Sequence, residues 1–220
     1  MKSGMLITFE GIDGCGKTTQ IEMACEWLEK QGYAVLSTFQ PGGTEVGRQI
    51  REILLKRKNR SLLQETELLL YLADRVQHLK EVILPAIEDG KLVLSDRFHD
   101  STVAYQGFGR GVDLSLIQSI EENVINPHAP DLTFLFRIDP GISMKRIDDQ
   151  RSSAGQRDRL EKEPLEFFQR ISDGYEQLVQ SSPQRFVCLD ATASRKQIHQ
   201  SIIRILKLRL KSIQSQENRS

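Results

Sequence analysis

The feature that most constrains this chain is a glycine-rich segment, Gly11–Thr18, between an apolar run and an amphipathic one. It reads GIDGCGKT and fits the pattern G-x-x-x-x-G-K-[ST]. Glycines let successive backbone N–H groups converge on an anion, and the start of the next helix adds partial positive charge. A strand, such a loop and a helix in this order predict a nucleoside triphosphate site at the edge of an α/β sheet.

The loop positions have distinct expected roles. We expect Lys17 to reach the β- and γ-phosphates of ATP and the Thr18 hydroxyl to ligate Mg²⁺. Without nucleotide, Lys17 is expected to face solvent. The residues expected to surround the triphosphate are Gly11, Ile12, Asp13, Gly14, Cys15, Gly16, Lys17, Thr18 and Thr19. A chance glycine-rich turn is the alternative interpretation.

Short apolar runs alternate with amphipathic stretches along the rest of the chain. Five runs are predicted to be strands: MLITFE, YAVLSTF, KLVLSD, DLTFLFRI and RFVCLD. The alternation predicts an α/β, P-loop NTPase-type three-layer sandwich, with a five-stranded parallel sheet and helices on both faces. We expect a single domain, residues 1–220, in which the polar segment 148–159 forms a short lid.

Charge and composition argue against several classes of partner. Thirty basic residues balance thirty acidic ones, so we expect no nucleic-acid partner. No apolar run approaches the roughly 20 residues that span a bilayer, so we expect no membrane association. Three widely spaced cysteines without metal-ligand spacing favour a reducing cytoplasm. The four histidines have no partner at a useful spacing and are interpreted as incidental.

A second anion site is predicted at the end of the third strand. Asp96 and Arg97 fall at its carboxyl end, where open α/β sheets place ligands. A carboxylate there can hold Mg²⁺ or its waters, and an arginine can chelate phosphate. A surface ion pair is the alternative. No asparagine is followed by lysine, so the N-K-x-D motif of GTPases is missing and a kinase is favoured.

The chain resembles the thymidylate kinases, which phosphorylate dTMP to dTDP with ATP. The resemblance rests on segments in the same order along nearly the whole chain: FEGIDGCGKTT, PGGT, ADRVQH, SDRFHDSTVAYQGFGRG, PDLTFLF and DRLE. The PGGT segment combined with the DST-x-AYQG block is the most specific part.

The resemblance implies a role for individual residues of the acceptor site. Asp13 would contact the 3′-hydroxyl of the acceptor sugar, which explains a carboxylate inside an anion-binding loop. Arg51 and Arg97 would grip the acceptor 5′-phosphate, and Tyr105 would crowd a 2′-hydroxyl. The remaining residues expected to bind the acceptor, chiefly its base, are Tyr71, Arg75, Ser101 and Gln106. On spacing alone, Tyr71 could equally be a core aromatic.

No conventional general base is expected, because a phosphate monoester is largely a dianion at neutral pH. Catalysis is expected from positioning and positive charge, supplied by Lys17, Arg97, Mg²⁺ near Asp96, and a lid arginine. The lid offers Arg151, Arg157 and Arg159, of which Arg159 matches the family best. Its removal is expected to lower kcat with little effect on dTMP affinity.

Two departures from the family leave alternatives open. Phe39-Gln40 stands where bacterial relatives have Arg-Glu, and Tyr71 adds a hydroxyl to the usual phenylalanine. One alternative is a kinase of the same fold that acts on dUMP, UMP or CMP. The other is a binding module that switches with nucleotide. The resemblance also implies a homodimer.

Overall fold

The computed structural model describes residues 4–59, 61–124, 128–151 and 158–217. The strands are β1 Met5–Glu10, β2 Val35–Phe39, β3 Leu92–Asp96, β4 Leu132–Arg137 and β5 Phe186–Asp190. The helices are α1 Lys17–Lys30, α2 Glu45–Leu55, α3 Gln64–His78, α4 Leu84–Glu88, α5 His99–Thr102, α6 Leu114–Val124, α7 Pro140–Arg151, α8 Leu165–Ser181 and α9 Arg195–Glu217. In these ranges no helix combines the length and apolarity needed to cross a bilayer.

The strands form one sheet in the order β2-β3-β1-β4-β5 with every neighbouring pair parallel. This confirms the predicted five-stranded parallel sheet. The chain leaves β1 towards β2 on one side and later reaches β4 on the other, so the strand order reverses around β1. Ligands of open α/β sheets bind at the carboxyl ends of strands where this reversal occurs. The glycine-rich loop begins there.

Alternate side chains of β1 are buried on opposite faces of the sheet. Ile7 and Phe9 join the cluster that contains α1 and α9, whereas Leu6 joins the cluster that contains α3 and α4. Each fully buried side chain of this kind stabilises the fold by about 1.5–3 kcal/mol. Because both faces are covered, β1 is continuously buried and its end is a rigid base for the loop.

A π-helical segment, Leu79–Ile83, lies between α3 and α4. Pro85 follows and has no N–H to donate to the carbonyl four residues earlier, which accounts for the wider local turn. A second π-helical segment, Val103–Gly109, carries Tyr105 and Gln106. Such wide turns are frequent at functional sites, because they change the direction in which side chains project.

The predicted lid is described only at its ends. Residues 148–151 are the last residues of α7, not the start of an irregular segment, and residues 158–159 follow the gap. Residues 152–157, which include Arg157, lie outside the described part of the chain.

Candidate active site

The glycine-rich loop adopts backbone angles that only glycine takes readily. Gly11 has φ +137°, and a Cβ there would lie 2.7 Å from the Phe136 carbonyl oxygen. Gly16 has φ +94° and immediately precedes α1. Its left-handed conformation turns the chain so that the helix N-terminus, with its free N–H groups, ends at the loop. Substitution at either position would be strained.

Lys17 is buried within the loop, so the expectation that it faces solvent is wrong. It is 6% exposed, and its Nζ donates to the carbonyl oxygens of Gly11 at 3.1 Å and Ile12 at 3.2 Å. The Gly11 carbonyl also accepts from Arg97 Nη1 at 3.0 Å, so the two cations share one loop oxygen. The lysine is thus held at the cleft in advance, and phosphate oxygens could replace the carbonyls.

Two loop residues point their side chains into the protein interior. Ile12 and Cys15 are 3% and 2% exposed and pack into the apolar core. Burial raises the pKa of the Cys15 thiol, although Lys17 lies nearby. A protonated, buried thiol is a poor nucleophile, so Cys15 serves the loop by filling space.

The structure brings together Thr18 and Asp96, the two residues expected to hold Mg²⁺. Thr18 Oγ1 donates to Asp96 Oδ2 at 2.8 Å, across the end of β1 and β3. Among the described residues no group of three histidine, cysteine or acidic side chains could hold a metal by itself. The pair nevertheless fits Mg²⁺, which usually takes one or two protein oxygens and completes its shell with phosphates and water.

Arg97 combines strained backbone with a fixed side chain. Its φ is +71°, in the left-handed region, which costs a non-glycine residue roughly 1–3 kcal/mol. The surrounding backbone is fixed by two bonds: Arg97 N–H donates to the Phe9 carbonyl at 3.0 Å, and Phe98 N–H donates to Glu10 Oε1 at 2.7 Å. The turn aims the guanidinium back across the sheet edge towards the loop.

Glu10 is a site residue that the sequence analysis missed. It is 0% exposed and accepts hydrogen bonds from Ser101 Oγ at 2.5 Å and Tyr175 Oη at 2.9 Å, in addition to Phe98 N–H. Burial, followed by the charge of Asp100, raises its pKa. An acidic residue at the end of an otherwise apolar strand was the available signal.

Asp13 pairs directly with Arg97. Arg97 Nη2 donates to Asp13 Oδ1 at 2.7 Å, and Tyr105 Oη donates to Asp13 Oδ2 at 3.0 Å. Burial opposes ionisation of Asp13, but the charges of Arg97 and then Lys17 outweigh it and lower its pKa to about 2. The carboxylate is therefore ionised at neutral pH and offset by two cations.

Two cavities meet at these side chains. The phosphate cleft is lined by Gly14, Lys17, Thr18, Thr19 and Asp96. The inner cavity, of about 570 Å³ with its mouth, is lined by Tyr71, Arg75, Ser101, Tyr105 and Gln106. Asp13, Gln40, Arg51 and Arg97 line both. The structure thus joins an anion-binding loop to a second, partly apolar cavity through two arginines.

The floor of the inner cavity carries unused donors. Arg75 is 2% exposed, donates from Nη2 to Thr102 Oγ1 at 2.8 Å, and lies over the Phe98 ring. Its Nε and Nη1 are buried and have no hydrogen-bond partner within the described residues. An unpaired buried donor costs about 1–3 kcal/mol, so a ligand with an acceptor at this point would bind favourably.

Arg51 lies where the two cavities meet and packs against an aromatic ring. Its guanidinium lies 5.7 Å from the centre of the Phe39 ring, and its Nη1 donates to the Pro41 carbonyl at 2.7 Å. An aromatic ring beneath a guanidinium is attractive and orients it. Phe39 therefore helps to hold the Arg51 guanidinium in place.

His78 is not incidental, contrary to the sequence interpretation. It is 0% exposed, with Nε2 2.6 Å from Thr38 Oγ1 and Nδ1 2.8 Å from Gln40 Nε2. Since Gln40 donates to Nδ1, the proton of the neutral ring is on Nε2 and goes to Thr38. His78 thereby fixes Gln40, which lines both cavities. Its partners lie about forty residues away in the sequence, where spacing gives no signal.

Arg159, the arginine expected to act from the lid, does not line the phosphate cleft. Its Nη2 lies 2.6 Å from Glu67 Oε2, and its Nε donates to the Leu54 carbonyl at 2.8 Å. Its neighbours Asp158 and Leu160 line the inner cavity, whereas Arg159 lines neither cavity. Arg151 is the last residue of α7.

Comparisons with known proteins agree with this geometry. Residues 9–202 match the sequence model of the family described as thymidylate kinase. The chain is 42% identical to a thymidylate kinase of Bacillus pumilus over 212 residues, which cover 96% of this chain and 99% of the relative. It is 46% identical to one of Halothermothrix orenii over 204 residues, covering 93% and 97%.

A solved structure shows the same architecture. The crystal structure of thymidylate kinase from Ehrlichia chaffeensis has a TM-score of 0.74 to this chain at 34% sequence identity, covering 92% of this chain and 98% of that one. This confirms the predicted P-loop NTPase-type fold, and the matches over nearly the whole sequence confirm the resemblance drawn from the motifs. The chain belongs to the thymidylate kinase family.

Proposed function

We propose that this protein transfers the γ-phosphoryl group of ATP to dTMP, with ATP in the phosphate cleft and dTMP in the inner cavity. The observation that carries the proposal is the junction of the two cavities. Arg51 and Arg97 line both, so each guanidinium can contact phosphates entering from either side. Two nucleotides seated in this way would meet end to end, as in-line transfer requires.

Phosphoryl transfer between two anionic nucleotides requires neutralisation of their negative charge and does not require a general base. The acceptor phosphate is largely a dianion at neutral pH, so it is nucleophilic without losing a proton to the protein. Lys17 and Arg97 would hold the transferring group between donor and acceptor. Thr18 and Asp96 would hold Mg²⁺, which supplies further positive charge when bound. Pre-set cations of this kind stabilise the transition state because they need no reorganisation.

The acceptor would be recognised along the inner cavity. Tyr71 would stack on the base, and the unpaired donors of Arg75 would bind its carbonyl oxygen. Burial raises the pKa of Tyr71, so its hydroxyl stays protonated. Asp13 and Tyr105, bonded to each other, would face the sugar. Ser101, which accepts from Arg97 Nη1 at 3.1 Å, would help to hold that arginine on the phosphate.

A catalytic role for Arg159 requires a rearrangement. Its guanidinium would have to exchange the Glu67 carboxylate for the transferring phosphoryl group. In the arrangement described here, Arg159 instead fixes the segment that brings Asp158 and Leu160 to the inner cavity. We therefore assign phosphoryl-group binding to Lys17 and Arg97, and we test Arg159 separately below.

The test is ADP release measured over a panel of monophosphates: dTMP, dUMP, UMP and dCMP. We expect dTMP to have the highest kcat/KM. A higher kcat/KM for another nucleotide would contradict the proposal and favour a kinase of the same fold with a different acceptor. Removing divalent cations with EDTA should abolish transfer and Mg²⁺ should restore it. Asp96→Asn should raise the Mg²⁺ concentration needed for half-maximal rate, and an unchanged requirement would contradict the assigned ligand.

We also propose a homodimer and a cytoplasmic location. Val46, Ile53 and Leu69, on the packed helices α2 and α3, are 47%, 44% and 60% exposed. Exposed apolar side chains on adjacent helices are typical of a protein interface. Light scattering after gel filtration should give twice the chain mass, and Leu69→Lys should lower it. Three unpaired cysteines are usual in a reducing compartment, which cell fractionation would check.

A further inference from the structure

Glu67 is a buried carboxylate to which the mechanism above gives no role. It lies on α3 and is 1% exposed. Gln106 Nε2 at 2.8 Å and Arg110 Nε at 3.2 Å donate to its Oε1, and Arg159 Nη2 forms an ion pair with its Oε2 at 2.6 Å. These three side chains come from the second π-helical segment, the residue that follows it, and the segment that begins at residue 158. One carboxylate thus joins three parts of the chain.

The contact with Glu67 determines which end of the Gln106 side-chain amide faces the inner cavity. An ionised carboxylate only accepts hydrogen bonds, so the Gln106 NH₂ group must turn towards Glu67. Burial opposes ionisation of Glu67, but the charge of Arg110, the bond from Gln106 and the charge of Arg159 lower its pKa. Gln106 also lines the inner cavity, whereas Glu67 does not. The carbonyl end of the amide is therefore the end left for a ligand.

We propose that Glu67 is a positioning residue that sets the pyrimidine selectivity of the inner cavity, by holding the Gln106 amide with its carbonyl oxygen towards the base. This inference rests on the proposed placement of the acceptor base beside Tyr71 and Arg75.

The resulting pattern of donors and acceptors distinguishes pyrimidine bases by the hydrogen-bonding groups at N3 and its neighbouring carbon. Arg75 offers donors and Gln106 offers an acceptor. Thymine and uracil present a carbonyl oxygen beside an N3–H, which complements both. Cytosine presents an amino group beside an unprotonated N3, so it would leave the donors of Arg75 and the acceptor of Gln106 unpaired. A site that leaves buried polar groups unpaired with the wrong base binds that base much more weakly, so we expect strong selection against cytosine.

The arginines make the arrangement rigid. Arg110 also donates from Nη1 to Glu163 Oε1 at 2.7 Å, and Arg159 also binds the Leu54 carbonyl. Two cations on Glu67 hold it ionised and in place, so it cannot become a donor that would reverse the amide. A glutamine at this position could offer either end to Gln106, and the amide would be free to turn over.

The experiment measures kcat/KM for dTMP, dUMP and dCMP in the wild type, Glu67→Gln and Glu163→Gln. We expect Glu67→Gln to lower the dTMP/dCMP ratio by about tenfold or more, as expected for the loss of one charge-assisted hydrogen bond. The dTMP/dUMP ratio should stay within about twofold, because both bases share the same edge. Glu163→Gln removes a carboxylate from Arg110 without touching Gln106 and should leave both ratios unchanged.

A uniform loss for all three nucleotides in Glu67→Gln would show a merely structural role and overturn the proposal, as would unchanged ratios. If this variant does not fold in a thermal melt, Glu67→Asp keeps the charge but shortens its reach. It should lower the dTMP/dCMP ratio too, and an unchanged ratio would count equally against the proposal.

Gln106→Leu separates this inference from the placement of the base. If Gln106→Leu lowers the dTMP/dCMP ratio and the Glu67 variants do not, only the role of Glu67 fails. If Gln106→Leu also leaves the ratio unchanged, the base does not lie against Gln106 and the proposed acceptor site fails with it.

Discussion

Replacing Asp13 by asparagine removes one negative charge from the centre of the site while keeping the size of the side chain. In the wild type, Arg97 Nη2 lies 2.7 Å from Asp13 Oδ1, and Tyr105 donates to the other oxygen. Despite the opposing effect of burial, Arg97 and then Lys17 lower the pKa of Asp13 from an ordinary 3.8 to about 2. Asparagine keeps an acceptor for Arg97 but loses this stabilisation.

The pKa shift of Asp13 gives the expected loss of unfolding free energy and the dependence of that loss on pH. A fall from 3.8 to about 2 corresponds to about 2.4 kcal/mol of stability at neutral pH. The side chain is 32% exposed, and solvent screens part of the interaction, so we expect a loss of roughly 1–2 kcal/mol in Asp13→Asn. Because the folded-state pKa is the lower one, this contribution is complete above the unfolded pKa and disappears as pH falls through about 2.

Urea unfolding of both proteins at about pH 7 and about pH 3, followed by Trp27 fluorescence, would measure this difference. The gap in unfolding free energy should shrink by about half at the lower pH. Asp89→Asn is the matched control, because Asp89 is 66% exposed and its pair with Lys91 at 3.3 Å should contribute little. An Asp13→Asn gap that is equal at both pH values would refute the assignment of the stabilisation to the Asp13 charge.

Three further predictions follow from the buried charges. Lys17→Ala should lower kcat/KM by about 10²–10³. Calorimetry should also find a lower Tm, because the Lys17 ammonium donates to two loop carbonyls, and an unchanged Tm would contradict this structural role. His78, whose pKa is lowered to about 4 by burial and then by Arg75, must take up a proton on unfolding below its ordinary 6.5. The contribution of His78 to stability should therefore fall by about 2 kcal/mol from pH 7 to pH 5, so the wild type should lose more stability over this range than His78→Gln. An equal change in the unfolding free energy of both proteins, measured with urea, would contradict this. Arg159→Ala should raise the KM for dTMP in steady-state assays through loss of its contact with Glu67, whereas a fall in kcat at unchanged KM would return Arg159 to the transferring group.

The parts of this protein that sequence predicted well are those with local causes. Strand positions follow from short apolar runs, and the phosphate loop follows from glycine spacing that few other structures require. Asp96 and Arg97 were placed by a general rule for the carboxyl ends of parallel strands. These features need no knowledge of which distant segments meet.

The features that the sequence did not predict depend on contacts between segments far apart in the chain. Glu67 and Gln106 are 39 residues apart, and Glu10 and Tyr175 are 165 apart. Which polar groups become partners is decided by how helices pack on the sheet, and no spacing rule carries that information. The burial of Lys17 was missed for a different reason. The loop closes on its own side chain, so an apparently exposed position becomes enclosed.

The backbone at Arg97 has a consequence for how tightly anions are bound. Its left-handed conformation is imposed by β1 and by a buried acid, before any nucleotide arrives. The entropy of ordering this long side chain is therefore lost during folding and not during binding, which leaves more of each contact available as affinity. An arginine in the same place on a flexible loop would have to be ordered anew in every catalytic cycle.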